Sequence, residues 1–365
     1  MSAEPRRARD LVDFDGAPGA WNALTDVPGV EVGYATLVHG EGTLVPGEGP
    51  VRTGVTAILP LGRERIGTSV PAGMFSFNGN GELTGSHWIE ETGSLALPVA
   101  ITNTHAVGPV HRGVLEWAVA RNPRLRDGWH LPVVGETYDG YLNDINGRHV
   151  REETAMAALD AATAGPLAEG SVGGGTGMNC YGFKAGTGTS SRRVTVAGRS
   201  YVVGVLTQAN FGARHQLTVR GRQLGRQLLD DNPMEEAAHR TPPGSGSCIT
   251  VVATDAPLLP LQCKALARRV TLGLARTGTT GSHFSGDIFL AFSTANAGAL
   301  DSGIGEAPAG IRQLDFVPWP AVNPLYDAVV HATEEAVINA LVAADTMIGR
   351  DGHRSPGFPN DVLAG

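Results

Sequence analysis

Gly246-Ser247-Cys248-Ile249-Thr250-Val251-Val252-Ala253-Thr254 is the stretch that decides this chain. The apolar and β-branched run from Ser247 to Thr254 has the length and composition of a buried strand. It starts abruptly, behind the breaker segment Thr241-Pro242-Pro243-Gly244-Ser245-Gly246. A serine on the first residue of a buried strand, preceded by glycine, is placed for self-cleavage. The glycine has no side chain to shield its carbonyl from the serine hydroxyl. Attack by that hydroxyl turns the amide into an ester, and water then splits the chain. Ser247 is left as a new N-terminus carrying both a nucleophile and its own base. A lone Gly-Ser pair reads equally as a serine that merely opens a strand, so the rest of the chain has to decide.

Immediately upstream, Asp230 to Gly246 is polar and rich in Pro and Gly, which predicts an exposed, cleavable linker. Further back, Tyr201 to Gln208 and Arg193 to Val196 read as a hairpin across Ala197-Gly198-Arg199-Ser200. His215 to Leu229 has amphipathic helical spacing. Strands are expected at Val30–Tyr34, Val55–Leu61, Ser69–Phe77, Leu97–Thr102 and Asp287–Ser293. Helices are expected at Pro109–Asn122, Glu152–Ala164, Pro260–Arg276 and Asn323–Ile348. Val133 to Asn146 is rich in turn formers, and the first twenty or so residues read as a loose arm. Strands and helices alternate without regular βαβ spacing. A layered αββα sandwich suits that pattern at least as well as a doubly wound sheet.

Bulk properties narrow the function. The 365 residues can bury a large core, and 18% charged with 42% hydrophobic residues is a globular composition. A net charge of −8 argues against nucleic acid or an anionic membrane as the main partner. The N-terminus has no apolar signal core, and no apolar stretch is long enough to span a membrane. Three cysteines without CxxC spacing give neither a disulfide framework nor a zinc site, so a cytoplasmic setting is the simple expectation. The eleven histidines form no HExxH or HxH pattern, and no metal or other cofactor is expected. Gly173-Gly174-Gly175-Thr176-Gly177-Met178 fails both the dinucleotide and the phosphate-loop patterns. There is no GxSxG elbow. Cys248, beside Ser247, points to the opposite face of the strand and reads as a small buried hydrophobe.

Polar residues at the ends of other apolar strands supply site candidates. Asn210 closes one such strand and can offer an amide N–H to a developing oxyanion; capping or turn formation is its other reading. Ser285 and Asp287, two residues apart at a strand start, share a face. Asp287 could hold an α-ammonium and Ser285 could relay a hydrogen bond to Ser247, or the two could form an ordinary turn. Tyr138 and the carboxylates of Glu136-Thr137-Tyr138-Asp139 could bind an amine or support an oxyanion, or could be a solvated loop.

Taken together, these segments resemble a family. The segments are Thr25-Asp26-Val27-Pro28-Gly29-Val30, Phe77-Asn78-Gly79-Asn80-Gly81-Glu82-Leu83-Thr84-Gly85, Thr102-Asn103-Thr104-His105, Glu136-Thr137-Tyr138-Asp139-Gly140, Gln208-Ala209-Asn210, Gly246-Ser247 and Ser285-Gly286-Asp287. In order and over nearly the whole chain, they are similar to the self-processing serine peptidases of the DmpA type, the L-aminopeptidase/D-esterases and β-peptidyl aminopeptidases. The resemblance implies a four-layer αββα sandwich of the α/β (α+β) class, related to ornithine acetyltransferases and N-terminal nucleophile hydrolases. It implies one peptidase domain, 1–365, cut between Gly246 and Ser247 into 1–246 and 247–365, and a homo-oligomer of these processed heterodimers. Ser247 is then the nucleophile, Asn210 and Tyr138 support the oxyanion, and Ser285 and Asp287 orient the nucleophile and its amine. Some relatives carry Glu where this chain has Asp287.

The expected substrate is a short peptide, amide or ester with a free amine. An ammonium group needs an acidic partner, for which Glu136 is the first candidate and Glu82 the second. Two other readings stay open: an acyltransferase of the ornithine acetyltransferase type, and a catalytically silent binding or assembly module on the same fold.

Overall fold

The computed structural model describes residues 7–236, 246–301 and 310–364. In chain order the strands are β1 (Glu31–His39), β2 (Val51–Leu59), β3 (Val70–Ser76), β4 (Ser94–Leu95), β5 (Val99–Asn103), β6 (Val133–Thr137), β7 (Asn179–Cys180), β8 (Phe183–Lys184), β9 (Thr187–Val196), β10 (Arg199–Asn210), β11 (Gly246–Thr254), β12 (Ser285–Ser293), β13 (Met347–Ile348) and β14 (Arg354–Ser355). The α-helices are α1 (Ser86–Thr92), α2 (Val107–Arg121), α3 (Glu152–Asp160), α4 (Pro233–Glu236), α5 (Pro260–Arg276) and α6 (Asn323–Val342).

Two sheets carry the fold. One has four strands in the order β1-β2-β5-β6, and the other has six in the order β4-β3-β12-β11-β10-β9. β11 lies at the centre of the larger sheet, antiparallel to β10 and parallel to β12. Its Ile249, Val251 and Ala253 join Leu206, Ile288 and Leu290 in a core that meets Ile58, Val99, Ile101 and Val133 of the smaller sheet. Cys248 and Val252, on the other face, pack with Leu266, Val270 and Leu274 of α5 and Val337 and Leu341 of α6. Burial on both faces is why the strand reads as an unbroken apolar run. A third core places Val110, Val114 and Trp117 of α2 and Leu159 of α3 against Val55 and Ala57 of β2. The layers are therefore helix, sheet, sheet, helix, as the αββα expectation has it.

Several local expectations need correction. His215–Leu229 is not a helix but two short 3-10 turns, Arg214–Gln216 and Leu224–Arg226. Positive φ at Arg220 and Gly221 turns the chain back, and Val219 pairs with Arg222. Buried Arg214 pulls the segment inward by donating to the carbonyls of Tyr181 (2.8 Å), Gly182 (2.6 Å) and Leu228 (2.8 Å). Val133–Asn146 is not all turn, because its first five residues form β6. The last expected helix ends at Val342, and Met347–Ile348 pairs with Arg354–Ser355 instead. From residue 7 onward the N-terminal arm is tied down. Arg9 bonds Glu335 at 2.7 Å, and the Ala8 N–H donates to Asn339 Oδ1 at 2.9 Å. Residues 237–245 of the expected linker lie outside the described residues. No helix among the described residues is long and apolar enough to cross a membrane.

Candidate active site

The site is built at one end of the larger sheet, where β10 stops and β11 and β12 begin. Strand register sets Asn210 opposite Ser247 and Ser247 beside Gly286, so three adjacent strands meet in one row. Ser247 is buried. Before it, the Gly246 N–H reaches the Phe284 carbonyl at 3.3 Å. A Cβ on Gly246 would lie 1.8 Å from the Asn210 carbonyl oxygen, so a residue with a side chain cannot occupy this position as built.

The pleat separates neighbours by face. Ser247 shares the inter-sheet face with Gly286, whereas Ser285 and Asp287 share the face of Cys248. Cys248 sits against the hydroxyls of Thr207 (3.2 Å) and Thr250 (3.4 Å), and burial pushes its thiol up to about 12. It is a buried thiol, as expected, and not a rival nucleophile.

On that face the Ser285 hydroxyl donates to Asp287 Oδ1 at 2.7 Å. A hydroxyl that donates once still has lone pairs to accept with. Ser285 thus keeps acceptor capacity while its own hydrogen points to Asp287, but its side chain lies on the opposite face from the Ser247 hydroxyl, so the expected direct relay between the two hydroxyls is not formed. Asp287 is buried, and burial raises its carboxyl above the ordinary value, offset by the bonds from Ser285 and Asn78.

Asn210 is held from both ends of its amide. Its Oδ1 accepts from the Asn179 N–H at 2.9 Å, and its Nδ2 donates to the Tyr138 carbonyl at 3.0 Å. These partners fix which way the amide faces, and the second N–H on Nδ2 is left for a further acceptor. Asn179 is itself bonded by the hydroxyl of buried Ser355 on β14. Tyr138 therefore meets Asn210 through its main chain. Its half-exposed ring leans over Gly140, where a Cβ would lie 2.3 Å from the phenol oxygen.

Glu136, near the end of β6, is buried and falls on the Val134 side of its sheet, beside Thr102 in register. Its Oε1 accepts from the Glu82 N–H at 3.1 Å and its Oε2 from the Thr104 hydroxyl. Burial raises its pKa, and those two hydrogen bonds oppose the rise. A Cβ on Gly81 would stand 3.3 Å from Glu136 Oε1 and 2.9 Å from Gly286 Cα. Glu136 thus approaches the residue beside Ser247 with only glycine backbone between. The Glu82 side chain is exposed, and its contact with Glu136 is made by its main chain.

Two sequence-level candidates, Tyr138 and Glu82, therefore contribute main-chain contacts to this cluster. Asn78, Thr104, Asn179 and Ser355 were not singled out from the sequence. Asn78 and Thr104 lie inside motifs quoted above, which was the available signal. His105 is exposed and bonds Asn146 Oδ1 at 2.8 Å through Nδ1. No group of three or more His, Cys, Asp or Glu among the described residues could hold a metal.

Known proteins resemble this chain over nearly its whole length. Residues 22–355 match peptidase family S58. The chain belongs to that family. A β-peptidyl aminopeptidase BapA from Sphingosinicella microcystinivorans is 50% identical over 371 residues, covering 99% of this chain and 92% of the relative. Its namesake from Sphingosinicella xenopeptidilytica is 46% identical, covering 98% and 90%. Among solved structures, the L-aminopeptidase D-Ala-esterase/amidase from Ochrobactrum anthropi, described as a variant of the Ntn hydrolase fold, superposes with a TM-score of 0.91. It is 44% identical, with 99% of this chain and 97% of that one covered. A Burkholderia sp. β-aminopeptidase gives 0.86 at 43% identity, covering 98% and 97%. This S58 member is a serine aminopeptidase, which sets aside the acyltransferase and silent-module readings.

Proposed function

We propose that this peptidase activates itself by cutting between Gly246 and Ser247, and that Ser247 then removes the N-terminal residue from short peptides, amides or esters. The observation that carries the reading is the single row Asn210, Ser247, Gly286, with buried Glu136 behind it. In the first step the Ser247 hydroxyl attacks the Gly246 carbonyl. The C–N bond breaks, an ester forms, and water releases a carboxylate on Gly246 and a free amine on Ser247. The products are 1–246 and 247–365, which stay together as one peptidase domain.

Scission switches on the base. A free α-amine titrates near ~8, whereas a peptide nitrogen has no basicity to offer. The neutral amine takes the hydroxyl proton as Ser247 attacks the substrate carbonyl. The Asn210 amide and the Tyr138 phenol stabilise the oxyanion, the first being the better supported because its amide is already fixed. The α-amine lies in the plane of the sheet, between its two faces. Ser285 and Asp287 act on it from the Cys248 face, and Glu136, across Gly81 from Gly286, receives the substrate ammonium, with Glu82 adding negative charge nearby. The amine product leaves with the proton, and water hydrolyses the acyl-enzyme.

The names of the curated relatives favour a β-amino acid at the substrate N-terminus. The same residues can serve an L-α-aminoacyl amide, because the two differ by one methylene. A homo-oligomer of processed heterodimers in the cytoplasm completes the reading. Intact mass and denaturing electrophoresis should show two chains split after Gly246, and Ser247→Ala should be unbroken and inactive. A single full-length chain in an active preparation refutes the scheme. A panel of β-alanyl, L-alanyl and D-alanyl p-nitroanilides then ranks the substrates.

A further inference from the structure

We propose that Asn78 is a positioning residue for this reaction, clamping the Asp287 carboxylate so that the Ser285 hydroxyl keeps a fixed acceptor. The inference rests on the roles given above to Ser247, Ser285 and Asp287. Asn78 lies in the loop after β3, 209 residues from Asp287 in sequence. Its Oδ1 accepts from the Asp287 main-chain N–H. Its Nδ2 donates to Asp287 Oδ2 at 2.8 Å and to the Ser282 carbonyl at 3.0 Å. Oxygen and both amide hydrogens are thus engaged. A flipped amide would set N–H against N–H, so the orientation is determined by its partners.

The two carboxylate oxygens of Asp287 divide their work. Oδ1 takes the Ser285 hydroxyl, a group that can rotate to another partner. Oδ2 takes Asn78, an amide that cannot give up a proton. Asn78 is the donor that stays constant through the reaction. No cation is needed for this role. The forces on Asp287 are burial, Ser285 and Asn78, and the titratable groups that feel it are the buried, neutral thiols of Cys248 on β11 and Cys180 on β7. The same loop also holds Glu136, through the Glu82 N–H. Asp is shorter than Glu, and the clamp fixes the reach of the shorter side chain.

The test is a double-mutant cycle with a pH profile, on fully processed enzyme and an aminoacyl p-nitroanilide. Asn78→Asp keeps the volume and an acceptor for the Asp287 N–H but replaces the donor to Oδ2 with a second carboxyl oxygen, adding a like charge as well as losing a bond. It should lower kcat/KM roughly tenfold, the usual effect of losing one charge-assisted hydrogen bond. The lower break of the pH profile should rise by about one unit, since Asp287 would protonate more readily. Asn78→Ala should cost a similar factor in the native background and less than about threefold in Asp287→Asn, where its target is already changed. Equal losses in both backgrounds, or an unmoved break with Asn78→Asp, overturn the proposal. If Asn78→Ala fails to fold, the isosteric Asn78→Asp decides alone. Asp287→Asn at full rate would instead sink the parent role of Asp287. A slow Asp287→Asn with an indifferent Asn78→Asp sinks only the clamp.

Discussion

Gly246 and Asn210 are in main-chain contact: the position a Cβ would take on Gly246 is 1.8 Å from the Asn210 carbonyl oxygen. The obstacle is backbone, not the end of a flexible side chain, so it cannot step aside. Gly246→Ala must therefore move the start of β11 away from β10 and spoil the row that holds Ser247. The expected result is a chain that stays mostly full-length on denaturing electrophoresis and has little activity. Full scission and normal turnover would show that β11 starts elsewhere in the precursor.

Glu136→Gln tests the proposed ammonium site without emptying it. The amide oxygen can still accept from the Glu82 N–H, but the negative charge is gone. Removing one partner of a buried charge pair is costly, so kcat/KM should fall roughly 10²-fold, mainly through KM. Burial raises the Glu136 pKa above its ordinary 4.5, so its charge is lost at a higher pH than on a surface glutamate. Affinity for a cationic substrate should fall as pH drops through that raised value. The Gln variant should lack this dependence. An unchanged KM would exclude Glu136 from substrate binding.

Asn210→Asp replaces an N–H donor with an acceptor at almost constant shape. The new carboxylate faces the Tyr138 carbonyl, which the amide now binds at 3.0 Å. Losing one oxyanion donor costs roughly 10²–10³ in kcat. The same loss should slow self-cleavage, so time courses of chain splitting and turnover should be impaired together. Activity within threefold of the native enzyme would remove Asn210 from the oxyanion site.

The parts of this protein that were legible from sequence are those whose pattern has one cause. Past Ser247 the strand to Thr254 is buried on both faces, and packing dictates its residues. β6 was hidden because only Val133 and Val134 are apolar before Gly135, Glu136 and Thr137 take over. There, Glu136 and Thr137 commit their side chains to hydrogen bonds with Thr104, the Glu82 N–H and Gln208 instead of to apolar packing. His215–Leu229 misled for the opposite reason: its apolar spacing suits a helix, but buried Arg214 and the turn at Arg220-Gly221 hold it in another shape. The roles of Asn78, Asn179 and Ser355 were unreadable, because each depends on a partner brought close only by the fold. Asn179 and Ser355 are 176 residues apart.

Lys184 carries a prediction about stability rather than chemistry. Its ammonium is wholly buried on β8 and donates to the carbonyls of Met178 (2.8 Å) and Ala185 (2.6 Å). No carboxylate among the described residues pairs with it, and burial lowers its pKa from 10.5 to about 7. Between pH 7 and 10.5 the unfolded chain holds a proton that the folded one has given up. Stability should therefore climb with pH across that window, by up to ~1.4 kcal/mol per unit from this group. Below pH 7 both states are charged and the burial penalty is fully present. Lys184→Met deletes the charge and leaves two carbonyls with fewer donors, a loss that does not depend on pH. Its stability relative to the native chain should thus be most favourable near pH 7 and worsen steadily toward pH 10. Urea unfolding at pH 7, 8.5 and 10 measures this, and parallel stability curves for the two proteins would mean that Lys184 does not change its protonation on folding.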